Sequence, residues 1–177
     1  MTTLEALQNT LASIVAIVDQ QDEVHGRVRL QKLGYLLQQS GFRPIQKTRF
    51  AYHHYGPFSE QLAGALDQAV ASGLVEENRR DSHNGYKLYT YKLNREHPDV
   101  EYLKLAQADH ETVRKFMSTS SSAHWRTLEL AATVVYLERN LEISRETAIT
   151  RALGLKPDCK PYRTDAEALL TGLSLRS

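Results

Sequence analysis

The chain has 177 residues, of which 41% are hydrophobic and 24% charged, with a formal net charge of +1. That is enough apolar material for one domain, or for one domain with a helical annex. No apolar run approaches the roughly 20 residues of a membrane-spanning helix, and the single cysteine, Cys159, excludes an internal disulfide and a Cys₂His₂ or Cys₄ zinc site.

The opening residues, Met1-Thr2-Thr3-Leu4-Glu5, have no basic segment of the kind that begins a secretory signal. With one cysteine, the expectation is a soluble, cytoplasmic protein in a reducing compartment. Charge is unevenly spread. Residues 1–24 carry four acids and no base, residues 25–95 eleven bases against five acids, and residues 96–177 eleven bases against twelve acids. The basic middle suits either phosphate or an acidic protein face, or is simply a solvated surface.

In chain order, Leu4, Leu7, Leu11, Ile14, Val15 and Val18 recur at helical spacing, which predicts a helix from Thr2 to Gln21 opened by a Thr2–Glu5 capping box. Asp22 to Gly26 reads as a polar connection. Arg29 to Gln39 predicts a second helix with Leu30, Leu33, Leu36 and Leu37 inside, ended by Ser40-Gly41. Arg49 to Tyr52 predicts a strand, and Tyr55-Gly56-Pro57 a turn. Ser59 caps a third helix that Gly73 ends. Leu74 and Val75 lead into a hairpin folded at Asn84-Gly85 and returning through Tyr86–Leu93.

This element order predicts an α+β, mainly α fold: a winged helix-turn-helix-like module over residues 1–96, with a helical region over residues 97–177 packed on it. In that region the expectation is a helix from Pro98 or Val100 through Met117 and a Ser118–Ser122 loop. A helix through Tyr136 follows, then one capped by Ser144 and ended by Gly154. An extended link over Lys156–Pro161 leads to a last helix opened by Thr164 and Glu167.

Two strings carry a resemblance. Arg27–Leu37 reads Arg-Val-Arg-Leu-Gln-Lys-Leu-Gly-Tyr-Leu-Leu, and Phe50–Leu62 reads Phe-Ala-Tyr-His-His-Tyr-Gly-Pro-Phe-Ser-Glu-Gln-Leu. Together with Ser72-Gly73-Leu74-Val75-Glu76 and a tyrosine-rich hairpin, they resemble the YwgA-like family of bacterial and archaeal proteins. More distantly they resemble the SocA or Panacea antitoxin-associated domain. Phe58 stands where relatives often carry Tyr. The resemblance implies a winged-helix-like fold but no reaction, and its distant branch implies toxin neutralisation or defence-linked regulation.

Physically, Gly56-Pro57 sets the entry angle of the third helix, or else exposes the N–H groups of Phe58 to Leu62 to an anion. Gln31 is read as a structural brace to the Tyr55-Gly56-Pro57 turn. Lys32 either shares that role or joins Arg29 in a basic ridge. His53 and His54 are adjacent on a strand and face opposite ways, which argues against a shared metal ion. Cys159 lies between Lys156 and Lys160, an arrangement that lowers a thiol pKa when the ammonium groups are close.

No catalytic motif, cofactor or metal site is read. The first expectation is a non-enzymatic, antitoxin-like regulatory protein that binds a protein partner such as a toxin or defence protein. The second is a winged-helix regulator of double-stranded DNA, dimeric through its C-terminal helices. The contact residues for either are Arg27, Arg29, Lys32, Arg79, Arg80, His83 and Lys87. The predicted third helix, Ser59 to Ser72, holds Glu60 and Asp67 and no Lys or Arg, which weakens the DNA reading.

Overall fold

The computed structural model describes residues 3–105 and 110–175. The fold is α+β and mainly helical. Its helices are α1 (Thr3–Asp19), α2 (Arg27–Gln39), α3 (Glu60–Ala71), α4 (Asp99–Leu105), α5 (His110–Ser120), α6 (Trp125–Leu141), α7 (Arg145–Leu155) and α8 (Arg163–Gly172). Among the described residues, five strands, β1 (Val24–His25), β2 (Ala51–His53), β3 (Gly56–Phe58), β4 (Val75–Asp81) and β5 (Lys87–Leu93), form a three-stranded antiparallel sheet in the order β1-β5-β4 and a separate β2–β3 hairpin. Among the described residues, no helix is long and apolar enough to cross a membrane.

Two helices run through the interior. Every residue from Ala12 to Val18 in α1, and from Thr127 to Val135 in α6, is buried. Of their polar members, Ser13 and Thr133 bond back one turn, Ser13 Oγ donating to the Asn9 carbonyl and Thr133 Oγ1 to the Glu129 carbonyl, each at 2.8 Å, whereas the buried Thr127 hydroxyl meets no partner among the described residues. α2 lies between them and packs on both, and α6 also carries α7, α8 and β3. The apolar residues of the two predicted regions therefore join one core.

Several expectations need correction. The polar connection before α2 contains strand β1, where Val24 pairs with Tyr91 and His25 with Thr90. Two residues are too short for alternation to reveal. Tyr55-Gly56-Pro57 is split between a turn and strand β3. Ser118 to Ser120 are helical, their hydroxyls bonded to the carbonyls of Lys115 and Phe116. Pro157–Tyr162 is a 3₁₀ segment, and α8 starts at Arg163 without a side-chain cap. The Thr2 cap and the stretch 106–109 of the predicted Pro98–Met117 helix lie outside the described residues.

The β4–β5 hairpin follows its prediction: Val75 pairs with Leu93, Arg80 with Leu88 and Asp81 with Lys87, and Gly85 takes φ +77° at the turn. Ser59 caps α3, its hydroxyl accepting from the Leu62 N–H at 3.2 Å.

α2 and α3 meet closely at Gly34, where an added Cβ would lie 2.6 Å from Leu62 Cδ2, whereas Gly64 on α3 faces open space. Leu62 is fully buried and has little room to yield. Gly34→Ala is expected to cost about 1–2 kcal/mol even after its gain in helix propensity. Gly64→Ala is expected to stabilise by about 0.5–1 kcal/mol. Urea denaturation followed by circular dichroism checks both signs.

Candidate functional site

Gln31 and Lys32 are neighbours on α2 and both buried, Lys32 reaching the β2–β3 hairpin and Gln31 the cap beyond it. The Gln31 amide grips the backbone of Ser59 twice, its Nε2 donating to the Ser59 carbonyl at 3.0 Å and its Oε1 accepting from the Ser59 N–H at 2.9 Å. Lys32 Nζ donates to the Pro57 carbonyl at 2.7 Å. α2 thus fixes both the strand that leads into α3 and the cap that starts it.

A second lysine arrives from the other end of the sequence. Lys156, 6% exposed, donates from Nζ to the His54 carbonyl at 2.7 Å and to Glu129 Oε1 at 2.8 Å. Glu129 stands on buried α6 and is itself 3% exposed. The Cys159 thiol lies 3.8 Å from Glu129 Oε2. Burial first, and then the Glu129 carboxylate, push that thiol upward. Desolvation and an adjacent anion both disfavour a thiolate, so the flanking lysines do not activate Cys159.

Gly56 completes the cluster. It takes φ +84°, and a Cβ there would meet Thr133 Oγ1 at 2.5 Å, so the turn lies flat against α6. Among the described residues, Lys32 pairs with no carboxylate. Burial pushes its ammonium down from 10.5 to about 7, opposed by the Glu129 charge and reinforced by that of Lys156. Between α2 and the hairpin lies a cavity of about 260 Å³ whose lining includes Val28, Lys32, His53, His54, Tyr55 and Phe58.

The chain is similar to the Uncharacterized protein YwgA of Bacillus subtilis (strain 168). The two are 27% identical over 127 residues, which span 72% of this chain and 74% of that protein. No family model matches the chain. The similarity supports a YwgA-like resemblance at most.

The other residues singled out in the sequence separate into two groups. Arg27 and Arg29 are tied down. Arg27 bonds Tyr91 Oη at 2.9 Å and pairs with Asp67 at 2.9 Å and Glu77 at 3.1 Å. Arg29 donates to the carbonyls of Ser121 and Ala123. With Lys32 buried, no basic ridge forms on α2. Arg79, Arg80, His83 and Lys87 are exposed on the β4–β5 hairpin. Tyr55 is 56% exposed at the hairpin turn, while Gly56, Pro57 and Ser59 are buried. Among the described residues, no group of three or more His, Cys, Asp or Glu is placed to hold a metal ion.

Sequence reasoning missed Glu129, Thr133 and the role of Lys156. The signal for the first was present: an acid inside Leu128-Glu129-Leu130-Ala131-Ala132 has to face a partner or water.

Lys32 sets the sign of a pH effect. Below about pH 7 it is protonated folded or unfolded, and the cost of burying its charge is complete. Between about 7 and 10.5 the unfolded chain holds the proton and the folded chain does not, so its contribution to stability rises with pH, by up to about 1.4 kcal/mol per unit. Denaturation at pH 6 and pH 9 should show Lys32→Met gaining more over wild type at the lower pH. An equal difference at both would mean the amine is not desolvated. Glu129→Gln should cost about 3–5 kcal/mol, because it leaves the buried Lys156 charge without its carboxylate.

Proposed function

We propose that this chain is a non-enzymatic interaction module of winged-helix type, antitoxin-like and regulatory in role, that binds a protein partner through the β4–β5 hairpin. Support for the winged-helix reading comes from the sheet order β1-β5-β4, in which a short strand between α1 and α2 pairs with the returning strand of the hairpin. In this reading α3 takes the place of the recognition helix and β4–β5 that of the wing.

The observation that carries the choice of a protein partner is the outer face of α3. Its exposed residues are Glu60, Gln61, Gly64, Asp67, Gln68 and Ala71, with no cation of its own and two carboxylates, of which Asp67 is paired with Arg27 of α2. Such a face is repelled by a phosphate backbone and lacks the arginine and lysine that read guanine edges.

The hairpin is different in character. Arg80 and Leu88 stand directly opposite each other, on the face turned away from the core, and Tyr86 is 73% exposed at the tip. Arginine and aromatic anchors beside exposed aliphatic surface make the composition of a protein interface. The basic charge favours an acidic partner surface, and a toxin or defence protein bearing such a surface is the class the sequence resemblance suggests.

A second reading, a regulator of double-stranded DNA dimerising through its C-terminal helices, is favoured by one observation: Arg79, Arg80, His83 and Lys87 are all exposed on one protruding hairpin. In that case the wing rather than α3 would hold the duplex.

The two readings part in one experiment. The tagged chain is used to capture partners from its native extract, with and without nuclease, and is titrated with duplex DNA over a range of salt. On the protein reading, capture survives nuclease. Arg80→Ala and Leu88→Ser each weaken it about tenfold or more, while Arg79→Ala, on the opposite face of the strand, has a smaller effect. Loss of all retention on nuclease treatment, with DNA affinity falling steeply as salt rises, would replace the first reading by the second.

A further inference from the structure

The cavity beneath the β2–β3 hairpin lies apart from the tip of the β4–β5 hairpin, and Arg27, Gln31, Glu60 and the two histidines share its lining with one buried amine. Lys32 is 1% exposed and lines the cavity with Val28 from α2, facing His53, His54, Tyr55 and Phe58 of the hairpin. Its single hydrogen bond among the described residues goes to the Pro57 carbonyl. An ammonium has three N–H donors to satisfy, whereas a neutral amine tolerates apolar neighbours.

The charges around it point the same way. Glu129, the carboxylate whose charge Lys32 feels, is taken by Lys156 at 2.8 Å. With Lys32 neutral, the buried group of Lys32, Lys156 and Glu129 has no net charge. With Lys32 protonated, it holds an uncompensated positive charge away from water, which is strongly unfavourable. A desolvated lysine kept as a free amine in an apolar pocket has the reactivity that captures carbonyl compounds.

We propose that Lys32 binds a small aldehyde or ketone with an apolar body, holding it in the cavity as an imine. The Nζ lone pair adds to the carbonyl carbon to give a carbinolamine. Loss of the former carbonyl oxygen as water, with both hydrogens of the amine, leaves the carbon–nitrogen double bond. No oxidant or reductant enters, and hydrolysis reverses the step. The carbinolamine needs a proton on its departing oxygen, and the His53 and His54 side chains line the same cavity. A volume of about 260 Å³ suits a compound of about one aromatic ring.

The test is reductive trapping of the full-length protein at pH 7 with benzaldehyde and cyanoborohydride, followed by peptide mass mapping. Lys47, Lys87 and Lys160 are exposed and serve as internal references. The expected result is labelling of Lys32 at least tenfold faster than any of the three, since an exposed lysine is almost wholly protonated at that pH. Val28→Trp, which fills the cavity and leaves the lysine in place, should slow Lys32 to the reference rate or below. Label confined to the exposed lysines of the folded wild-type chain overturns the proposal. So does a Val28→Trp variant that labels Lys32 as fast as wild type. Neither measurement requires a Lys32 variant to fold.

Discussion

A lysine nitrogen taken out of water costs several kcal/mol unless acceptors meet it. Lys32 and Lys156 are both so placed, at 1% and 6% exposure, and each ends on a main-chain carbonyl of the same hairpin, Pro57 for one and His54 for the other. Those carbonyls point inward because Gly56 takes a left-handed conformation and lies against Thr133 of α6. One lysine comes from α2 and the other from beyond α7. The hairpin is therefore the joint at which the two ends of the chain are held together, and a change at the turn withdraws acceptors from two buried amines at once.

The same constraint organises the chain beyond the turn. Gln31 sits one residue before Lys32 and binds the backbone of Ser59, so the helix that grips the hairpin also positions the cap of α3. The Ser59 hydroxyl in turn accepts from the Leu62 N–H. The contact of α2 with α3 at Gly34 is close because this clamp sets how near the two helices come. The motif pairing Leu30-Gln31-Lys32-Leu33 with Tyr55-Gly56-Pro57-Phe58-Ser59 is thus one interaction unit written in two pieces.

Much of this is legible in the sequence where a residue's chemistry is local. The Ser59 cap, the Asn84-Gly85 turn and the β4–β5 pairing all follow from side-chain types at fixed offsets, whereas Gln31, read as a brace to the Tyr55-Gly56-Pro57 turn, holds the backbone of Ser59 beyond it. What the sequence hides depends on distance along the chain. Strand β1 is two residues long and exists because Tyr91 and Thr90 lie beside it. Ser118 to Ser120 read as a loop because serine competes with helical hydrogen bonding. Here their hydroxyls return to carbonyls three or four residues back, and α5 continues. Lys156 reads as part of a link because its partner, Glu129, is 27 positions away. No local pattern gives that pairing.

Arg27 shows why a count of basic residues overstates the charge a partner meets. Its side chain is 45% exposed, yet the guanidinium reaches Asp67 of α3, Glu77 of β4 and the hydroxyl of Tyr91 on β5. Tyr91 Oη also donates to Glu77 at 2.8 Å, which makes a closed triad at the base of the β4–β5 hairpin. An exposed ion pair alone adds little stability. Here one partner is the hydroxyl of a fully buried tyrosine, whose polar tip would otherwise be left unpaired inside the fold. The arginine is committed to holding the hairpin against α2 and α3. Of the exposed cations on that hairpin, Arg79, Arg80 and Lys87 lie toward its tip, near Tyr86 and Leu88. Arg27 also lines the cavity over Lys32, so the base of one hairpin and the pocket beneath the other share a single side chain.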